Sequence, residues 1–524
     1  MMRRTKANFH LHRLIWIVCL CTMLIACGGD GSGTADPNAN DNTGQDPDPN
    51  DPQPSTPSGC IPENPTGPVL YVATSGSDDP GNDGSATAPY ATITYALDRA
   101  QDGAVILVGP GTYSGRVRIR GSFPNGVTVR SQELYKARLR NNGTVITAYT
   151  HTNGCQGITI EGFDIAHDGP GAGALVFHID AGGTGAVSNI TVRNNILHDS
   201  YNNDILKINH GISNVVVERN LFYNQQGSDE HIDINSAQDI IVQDNIFMND
   251  FAGSGRTNGN DTSSYIVIKD SNGSDDRFLG SRNIVVRRNI FLNWEGSTGS
   301  NFVLIGEDGQ SYYEAEEVTI ENNLMLGNSA NVMRAPFGVK GGRNITFNNN
   351  TVAGDLPALA FAMRFSCEGA NPVNTNIDMY NNIWSDPSGT MGANSGGPND
   401  FSDTPAGDVL DYTLNNNLYW NGASPIPEDA GETVNPSDDT NAVIADADLG
   451  SQAGLVLPRW DQVDEIFEDG SVSICEAFDR LVQQYGTPGS SSPVDQADAG
   501  HAPSDDILGN ARGTSPDIGA VEIQ

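Results

Sequence analysis

A set of ionisable side chains falls in short segments in the middle of the chain where apolar and polar residues alternate. The set contains Lys207, Glu230, His231, Asp233, Lys269, Asp270, Glu307, Asp308, Arg334 and Arg364. Lysine and histidine can transfer protons, and carboxylates can act as acids or bases or bind a hard cation. Cations are scarce here, with 28 Lys and Arg against 65 Asp and Glu. The alternative is a solvated face on which Lys207 and Asp233 merely pair, which contributes little to stability.

A nine-residue repeat must position these residues, because they lie between its copies. Eight copies share an asparagine at the seventh position: Asn195, Asn220, Asn245, Asn289, Asn323, Asn350, Asn382 and Asn417. The shortest step between them, 25 residues, holds short strands but leaves no room for a crossover helix. The repeat therefore predicts an all-β fold, a right-handed parallel β-helix whose coils stack on one another.

The repeated asparagine is interpreted as a structural residue. Asparagine tolerates the left-handed backbone of a tight corner, and its side-chain amide can bond to the equivalent asparagine one coil above. We expect a ladder along one corner of the β-helix and no ligand binding by these residues.

Stacking the coils in register predicts which side chains share a face. The segments Asp204 to Asn209, Glu230 to Asn235 and Tyr265 to Asp270 align, with Phe302 to Asp308 on the next coil. Leu206, Ile232 and Ile266 then point inward, whereas Lys207 and Asp233 point outward. The ionisable set should therefore gather on one exterior face.

Both ends of a β-helix expose strand edges that need covering. The segment from Ala91 to Asp102 has helical apolar spacing, and we expect it to cap the N-terminal opening. The segment from Ser473 to Tyr485 has the same pattern and predicts a helix in a cap at the far end.

The first 59 residues are read as a targeting signal and a tether. Residues 1–27 have a basic start, an apolar run and a lipobox-like ending at Cys27, typical of a bacterial lipoprotein signal with lipidation of that cysteine. Residues 28–59, rich in Asp, Pro and Gly, predict an acidic disordered tether. The β-helix domain should span 60–524, with an N-terminal cap at about 68–113 and a C-terminal module at about 440–524. We expect a monomer held by lipid at the bacterial envelope, in the outer membrane, facing the periplasm or the cell surface.

Four cysteines remain in the mature chain: Cys60, Cys155, Cys367 and Cys475. In an exported protein they suggest two disulfides, for which three connectivities exist. Proximity to the two ends of the domain favours Cys60 with Cys155 and Cys367 with Cys475.

The net charge of −37 excludes nucleic acid as a partner, because a phosphate backbone would be repelled. It suits an exported protein in contact with divalent cations.

Two terminal regions carry a family likeness. Tyr71 to Asp79 and Val108 to Tyr113 resemble the opening of the pectate-lyase-like right-handed β-helix superfamily, especially polysaccharide lyases of families six and nine. Pro516 to Glu522 is similar to the terminal module of exported bacterial β-helix proteins. The resemblance implies a carbohydrate-active protein whose partner is a polysaccharide, with a lyase acting on an acidic, uronate-containing polymer as the leading expectation.

The resemblance also suggests roles for the ionisable set. Lyases of this kind use a Lys or Arg base and Ca²⁺ held by carboxylates of adjacent coils. Lys207 or Lys269 would be the base, and His231 or Arg334 would bind substrate or donate a proton. The calcium ligands would be Asp204, Glu230 and Asp233. Further substrate contacts would come from Asp233, Glu307, Arg364 and Trp294, although a tryptophan that follows a ladder corner can equally pack beneath a loop.

Two other functions stay open. Hydrolysis would need two carboxylates across a glycosidic bond, with Asp233, Glu307 and Asp308 as candidates. A noncatalytic surface module would bind glycan, or another cell, through the same face.

Overall fold

Three parallel sheets wind around one apolar core. The computed structural model describes residues 60–523 except 61, 63, 150–153, 184–185, 330, 355 and 392–399. The chain is almost entirely β, and strands far apart in sequence pair in parallel, coil upon coil. The predicted parallel β-helix is confirmed.

The first sheet carries the ionisable set. Its strands are Val117–Ile119, Ile146–Tyr149, Phe177–Asp180, Leu206–Glu218, Glu230–Gln243, Ser264–Lys269, Asn301–Ile305, Phe337–Val339, Ala360–Phe365 and Asp400–Asp403. Two long strands, Leu206–Glu218 and Glu230–Gln243, continue around a corner into the second sheet.

The other two sheets complete the coils. The second sheet contains Val69–Val72, Val105–Val108, Gly121–Ser131, Cys155–Glu161, Val187–Arg193, Ser281–Arg287, Ala315–Glu321, Gly342–Asn348, Asn374–Tyr380 and Val409–Asn415. The third contains Gly111–Ser114, Ala137–Asn141, Asp164–His167, Ile196–His198, Leu221–Tyr223, Ile246–Met248, Ile290–Phe291, Leu324–Leu326, Thr351–Ala353, Ile383–Ser385, Leu418–Trp420 and Val443–Ile444. A short antiparallel pair, Trp460–Asp461 with Ile466–Phe467, lies in the C-terminal segment.

The asparagine ladder is confirmed, but its backbone geometry differs from the prediction. Each side-chain amide donates to the carbonyl oxygen of the next ladder asparagine at 2.9–3.1 Å, from Asn195 through to Asn417. The left-handed backbone falls one residue earlier, for example at Arg219, with φ of 55°. The ladder residues are buried, so their amides satisfy polar groups that water does not reach.

Helix α1 (Ile93–Leu97) is shorter than predicted. Thr92 caps it by accepting a hydrogen bond from the Tyr95 amide. Its buried residues belong to the same core as Val72 and Val108 of the first strands. Its predicted role as an end cap stays a prediction.

Helix α2 (Ile474–Leu481) begins where predicted, after the N-cap Ser473, and runs into a π-type turn, Val482–Gly486. It does not share the main core. Its apolar face belongs to a second cluster with outward-facing residues of the third sheet, such as Leu221 and Ile246. The C-terminal segment therefore lies along the side of the β-helix, which differs from the predicted cap over its far end.

The predicted disulfide pairing is wrong. Cys60 is bonded to Cys475, with 5.9 Å between their Cα atoms. Cys155 is buried within the second sheet, and Cys367 is a partly exposed free thiol. The reason is the path of the C-terminal segment: the Ile474 amide donates to the Tyr135 hydroxyl at 3.4 Å, which brings α2 beside the early coils.

The predicted signal, tether and lipidation site at Cys27 lie outside the described residues. Within the described ranges, neither α1 nor α2 nor any other helix is long and apolar enough to cross a bilayer.

Candidate functional site

The register of the first sheet brings the central ionisable residues together. Leu206, Ile232 and Ile266 are stacked and buried, as predicted. Lys207 pairs with Asp233 of the next coil, and Lys269 pairs with Asn235. The outward side chains therefore form vertical columns on the exterior of this sheet.

Three buried carboxylates form the centre of the site. Asp204, Glu230 and Asp233 each place one carboxylate oxygen within 4.8 Å of the others. Asp204 and Glu230 begin corresponding turns of adjacent coils, and the Glu230 amide donates to Asp204 Oδ1 at 3.1 Å. We call these three residues the acid cluster.

Two lysines lie at this face, one paired with the acid cluster and the other with acids of a later coil. Lys207 Nζ is ion-paired with Asp233 Oδ2 and lies 3.4 Å from Asp204 Oδ2. Lys269 Nζ is ion-paired with Glu307 and lies 3.9 Å from Asp308 Oδ1. The side chains of Lys207 and Lys269 are only 21% and 12% exposed, so both charges are largely shielded from water.

The shared burial shifts the proton affinities of the group. Burial and then the repulsion of Asp233 raise the pKa of Asp204. Burial and then the repulsion of Asp204 raise the pKa of Glu230 well above its ordinary value. Burial lowers the lysine pKa values, but neighbouring carboxylates, Asp233 first for both, outweigh it and raise the pKa of Lys207 and of Lys269. Both lysines are ammonium groups in this structure.

The acid cluster fits a hard, oxygen-ligated cation. Asp233 Oδ1 and Ser264 Oγ are buried without a hydrogen-bond partner among the described residues. Ser264 is the register partner of Glu230, so it lies in the adjacent coil. Three carboxylates with an unsatisfied oxygen are the donor type that Ca²⁺ prefers. A cation there would relieve the repulsion that raises the pKa of Asp204 and of Glu230.

Asp229 directly precedes Glu230 and is affected by the charge of Asp204, although it was not among the residues predicted from the sequence. Burial and the repulsion of Asp204 raise the pKa of Asp229 to about 7. The signal was available, because Asp229 directly precedes Glu230 and makes a pair of adjacent acids at the start of a strand.

His231 does not belong to the exterior face, and its predicted role in substrate binding or proton donation is wrong. Its ring is fully buried and stacks on Tyr265 with a centroid distance of 4.4 Å. Its Nε2 lies 3.1 Å from Asn249 Oδ1. Burial lowers the pKa of His231 to about 3, so the ring is neutral.

Trp294 is also buried, and the prediction that it contacts substrate is wrong. It packs edge-on against Tyr265 and Phe302 inside the coil, and its Nε1 donates to the Ser297 carbonyl at 3.2 Å. A fully buried ring has no face free for a sugar.

Arg334 and Arg364 lie on the same face but form a separate group. Both contact Asp403 Oδ2, Arg334 Nε at 2.6 Å and Arg364 Nε at 3.0 Å. The register from Asp233 to Arg364 runs through Val267, Leu304 and Gly338. Four inter-strand steps amount to about 19 Å. The backbone of Arg364 is therefore four coils from Asp233, and Arg334 shares its partner Asp403 and has no acid-cluster carboxylate among its ion pairs with described residues.

The comparisons with known proteins agree with this architecture. No protein-family model matches the chain, and no curated protein sequence matches it. Among solved structures, the pectate lyase Pel9A is similar over 88% of this chain and 97% of its own, at 14% identity and a TM-score of 0.50. A glycoside hydrolase covers 69% of this chain and 97% of its own (9%, TM-score 0.47), and a rhamnogalacturonan lyase covers 80% and 99% (12%, TM-score 0.42).

The fold is that of the pectate-lyase-like β-helices. At such low identity the likeness concerns the fold alone, and one fold of this kind hosts several reactions. The features of this β-helix that bear on its function are its own acid cluster and the two lysines near it.

Proposed function

We propose that this protein is carbohydrate-active and cleaves a uronate-containing polysaccharide by β-elimination at the acid cluster. The observation that carries the proposal is a group of three buried carboxylates on one exterior face, ion-paired with Lys207 and near enough to Lys269 that Asp233 and Glu230 help to raise the pKa of that lysine. Few exterior faces of a stable β-helix would bury so many charges, since each costs free energy unless it is paired. Such costs are typical of functional sites.

Asp204, Glu230 and Asp233 would hold a calcium ion, with Ser264 close to them in the adjacent coil. When bound, the ion would supply positive charge that draws in the uronate carboxylate and stabilises charge at the adjacent carbon. The protein carboxylates would bind it in their ionised form.

Lys269 is the proposed base. Asp233, its ion-pair partner Glu307 and then Glu230 raise the pKa of Lys269, and its ammonium contacts Glu307 and not the proposed ligand oxygens. If a bound cation neutralised those carboxylates, the proton affinity of Lys269 would fall and its ammonium would release a proton to water. Its Nζ then takes the proton from C5 of the uronate, the electron pair forms the C4–C5 double bond, and the C4–O4 bond breaks. The leaving O4 takes up a proton from solvent, Lys269 returns the C5 proton to solvent, and no water is consumed overall.

Lys207 is proposed to balance charge. Its ammonium contacts two ligand carboxylates, Asp204 and Asp233, and its raised pKa keeps it protonated. A group held in this way lowers the electrostatic cost of the cluster and leaves proton abstraction to Lys269.

The test is the formation of unsaturated product, followed by ultraviolet absorbance. Lys269→Ala should lower its rate on a uronate polymer by about a hundredfold or more, because a positioned base contributes at least that much. Lys340→Ala is the matched control, since Lys340 is also ion-paired, with Glu368 at 2.6 Å, and 14% exposed. Equal rates for the two variants would rule out Lys269 as the base.

A second candidate, hydrolysis, is favoured by one observation. Glu230, whose pKa is raised well above normal, lies within 4.8 Å of an oxygen of Asp233. A carboxyl group with a raised pKa and a second carboxylate about 5 Å away are the pair that a retaining glycosidase uses. Elimination accounts for the two lysines as well, and hydrolysis does not require them.

We also propose that the protein acts as a monomer tethered to the bacterial outer membrane through lipid on Cys27. The support is the lipobox-like Leu24 to Cys27 followed by an acidic tether. Loss of membrane fractionation in Cys27→Ser, compared with the natural chain, would test it.

A further inference from the structure

A rigid aromatic group lies next to the proposed site, on its N-terminal side. His178 is the register partner of Lys207 on the preceding coil, so it is one inter-strand step from that lysine. Tyr149 begins a parallel column that continues through Asp180 and Asn209. Among described residues Tyr149 is the one aromatic side chain in the group of exposed large hydrophobic residues, at 40%.

Hydrogen bonds hold this pair in place. The Tyr149 hydroxyl lies 2.9 Å from His178 Nδ1, and His178 Nε2 lies 3.0 Å from Asn209 Oδ1. The two rings meet edge to face with centroids 5.2 Å apart. An exposed ring that is already immobilised loses little entropy when a ligand covers it.

The protonation state of His178 determines which hydrogen bonds the Tyr149–His178 pair can make with a ligand. Burial lowers the pKa of His178. A neutral imidazole has one donor and one acceptor. With Asn209 Oδ1 accepting from Nε2, Nδ1 accepts from the Tyr149 hydroxyl. The Tyr149 oxygen keeps a lone pair to accept from a sugar hydroxyl, and the exposed part of its ring offers apolar surface to a pyranose.

The charges around the pair disfavour a second carboxylate. Asp180 lies next to it, 3.8 Å from His178 Nε2 and 3.3 Å from His210 Nδ1, and it acts on Tyr149 more strongly than Arg116 does. A neutral sugar that places hydroxyls toward Asp180 meets no such repulsion.

We propose that Tyr149 and His178 form a subsite for a neutral sugar unit next to the uronate at the acid cluster. The inference rests on the proposed function for the choice of polymer. The ligand would then be a heteropolysaccharide in which uronate and neutral sugars are neighbours. The neutral sugar would lie on the side of the acid cluster that faces the N-terminal coils.

Binding calorimetry on the full chain carrying Lys269→Ala, which would not consume ligand, provides the test. The probes are a galacturonate tetramer, in which every unit is acidic, and a tetramer of alternating galacturonate and rhamnose. Tyr149→Ala in this background should weaken binding of the alternating tetramer about tenfold, the upper range for one aromatic contact, and that of the acidic tetramer at most about twofold. Because Tyr149 is exposed, the substitution should not unfold the chain.

Tyr380→Ala is the control, since Tyr380 stacks on His501 at 3.7 Å but lies on the second sheet. It should leave both affinities unchanged. Equal affinities of the alternating tetramer with and without Tyr149, or no binding of either probe, would overturn the subsite. A natural chain that forms no unsaturated product, while Tyr149→Ala still weakens binding, would instead overturn the lyase reaction and keep the subsite.

Discussion

Lys207 and Asp233 are 26 positions apart in the chain, yet they are register partners on adjacent coils and form an ion pair on the first sheet. Their contact depends on the phase of the coils, because a slip of one residue would turn one of the two side chains into the core. The site is therefore assembled by the repeat itself, and its charges are balanced between coils.

The acid cluster should bind calcium measurably in the absence of any sugar. Added Ca²⁺ should raise the melting temperature by several degrees, because a ligand that binds only the folded state stabilises it by mass action. Asp233→Asn should remove most of this effect, since it removes the carboxylate with the unpartnered oxygen. Scanning calorimetry with and without Ca²⁺ makes the comparison, and an undiminished shift in Asp233→Asn would mean that the cation binds elsewhere.

Helix α2 should make stability depend on pH through Asp479. Burial and the repulsion of Glu476 raise the pKa of Asp479 to about 6. A raised carboxyl pKa means that the folded chain holds the proton more tightly, so this contribution is complete below about pH 4 and is lost as the pH rises through 6. Asp479→Asn should therefore melt higher than the natural chain at pH 8 by a few degrees, and the two should coincide at pH 4. Thermal melts at both pH values test this, and a constant difference between them would refute the assignment.

A single buried asparagine of the ladder should contribute more to the free energy of unfolding than an exposed asparagine. Asn289 accepts from the Asn245 amide and donates to the Val242 carbonyl and to Asn323 Oδ1, all buried. Asn289→Ala leaves these groups unsatisfied at about 1–3 kcal/mol each, so it should lower the free energy of unfolding by about 3 kcal/mol or more. The exposed Asn202→Ala should change it by about 0.5 kcal/mol or less. Denaturant unfolding measures both, and similar losses would show that the ladder does not stabilise the coil.

The disulfide between Cys60 and Cys475 should be found by mass mapping of peptides from the unreduced protein. Reduction, or Cys475→Ser, should lower the melting temperature because it frees α2 from the start of the domain. Thiol labelling of the folded protein should reach Cys367 before the buried Cys155. A peptide that links Cys60 to Cys155 would contradict the described path of the C-terminal segment.

Much of the fold followed from the sequence because a stacked repeat has strong internal rules. The alternation of apolar residues predicted that Leu206, Ile232 and Ile266 would be stacked and buried, and they are. The same register brought Lys207 beside Asp233. These contacts need only the period of the strands and the phase of the repeat.

His231 shows where simple alternation fails. Counting in twos from Ile232 places His231 outside, but both residues are buried, as are Tyr265 and Ile266 on the next coil. The strand begins at a corner, where two successive side chains point inward. The sequence contains no separate signal for this bend.

The conformation of the loops and the path of the C-terminal segment also could not be predicted from local sequence patterns. Trp294 is covered by its own loop, through the contact with Ser297. The pairing of Cys60 with Cys475 depends on a return path along the third sheet. Such paths are selected by long-range packing of apolar surfaces, which the spacing of residues in one segment does not specify.

The mass of the products formed from a uronate-containing polysaccharide is the most direct test of the central claim. Elimination consumes no water, so we predict that the new non-reducing ends are unsaturated and that the oligosaccharides carrying them are one water lighter than hydrolysis products. These should disappear in Lys269→Ala and persist in Lys340→Ala. Products that carry the full mass of water, or an intact polymer across alternating and acidic substrates alike, would contradict a lyase at the acid cluster.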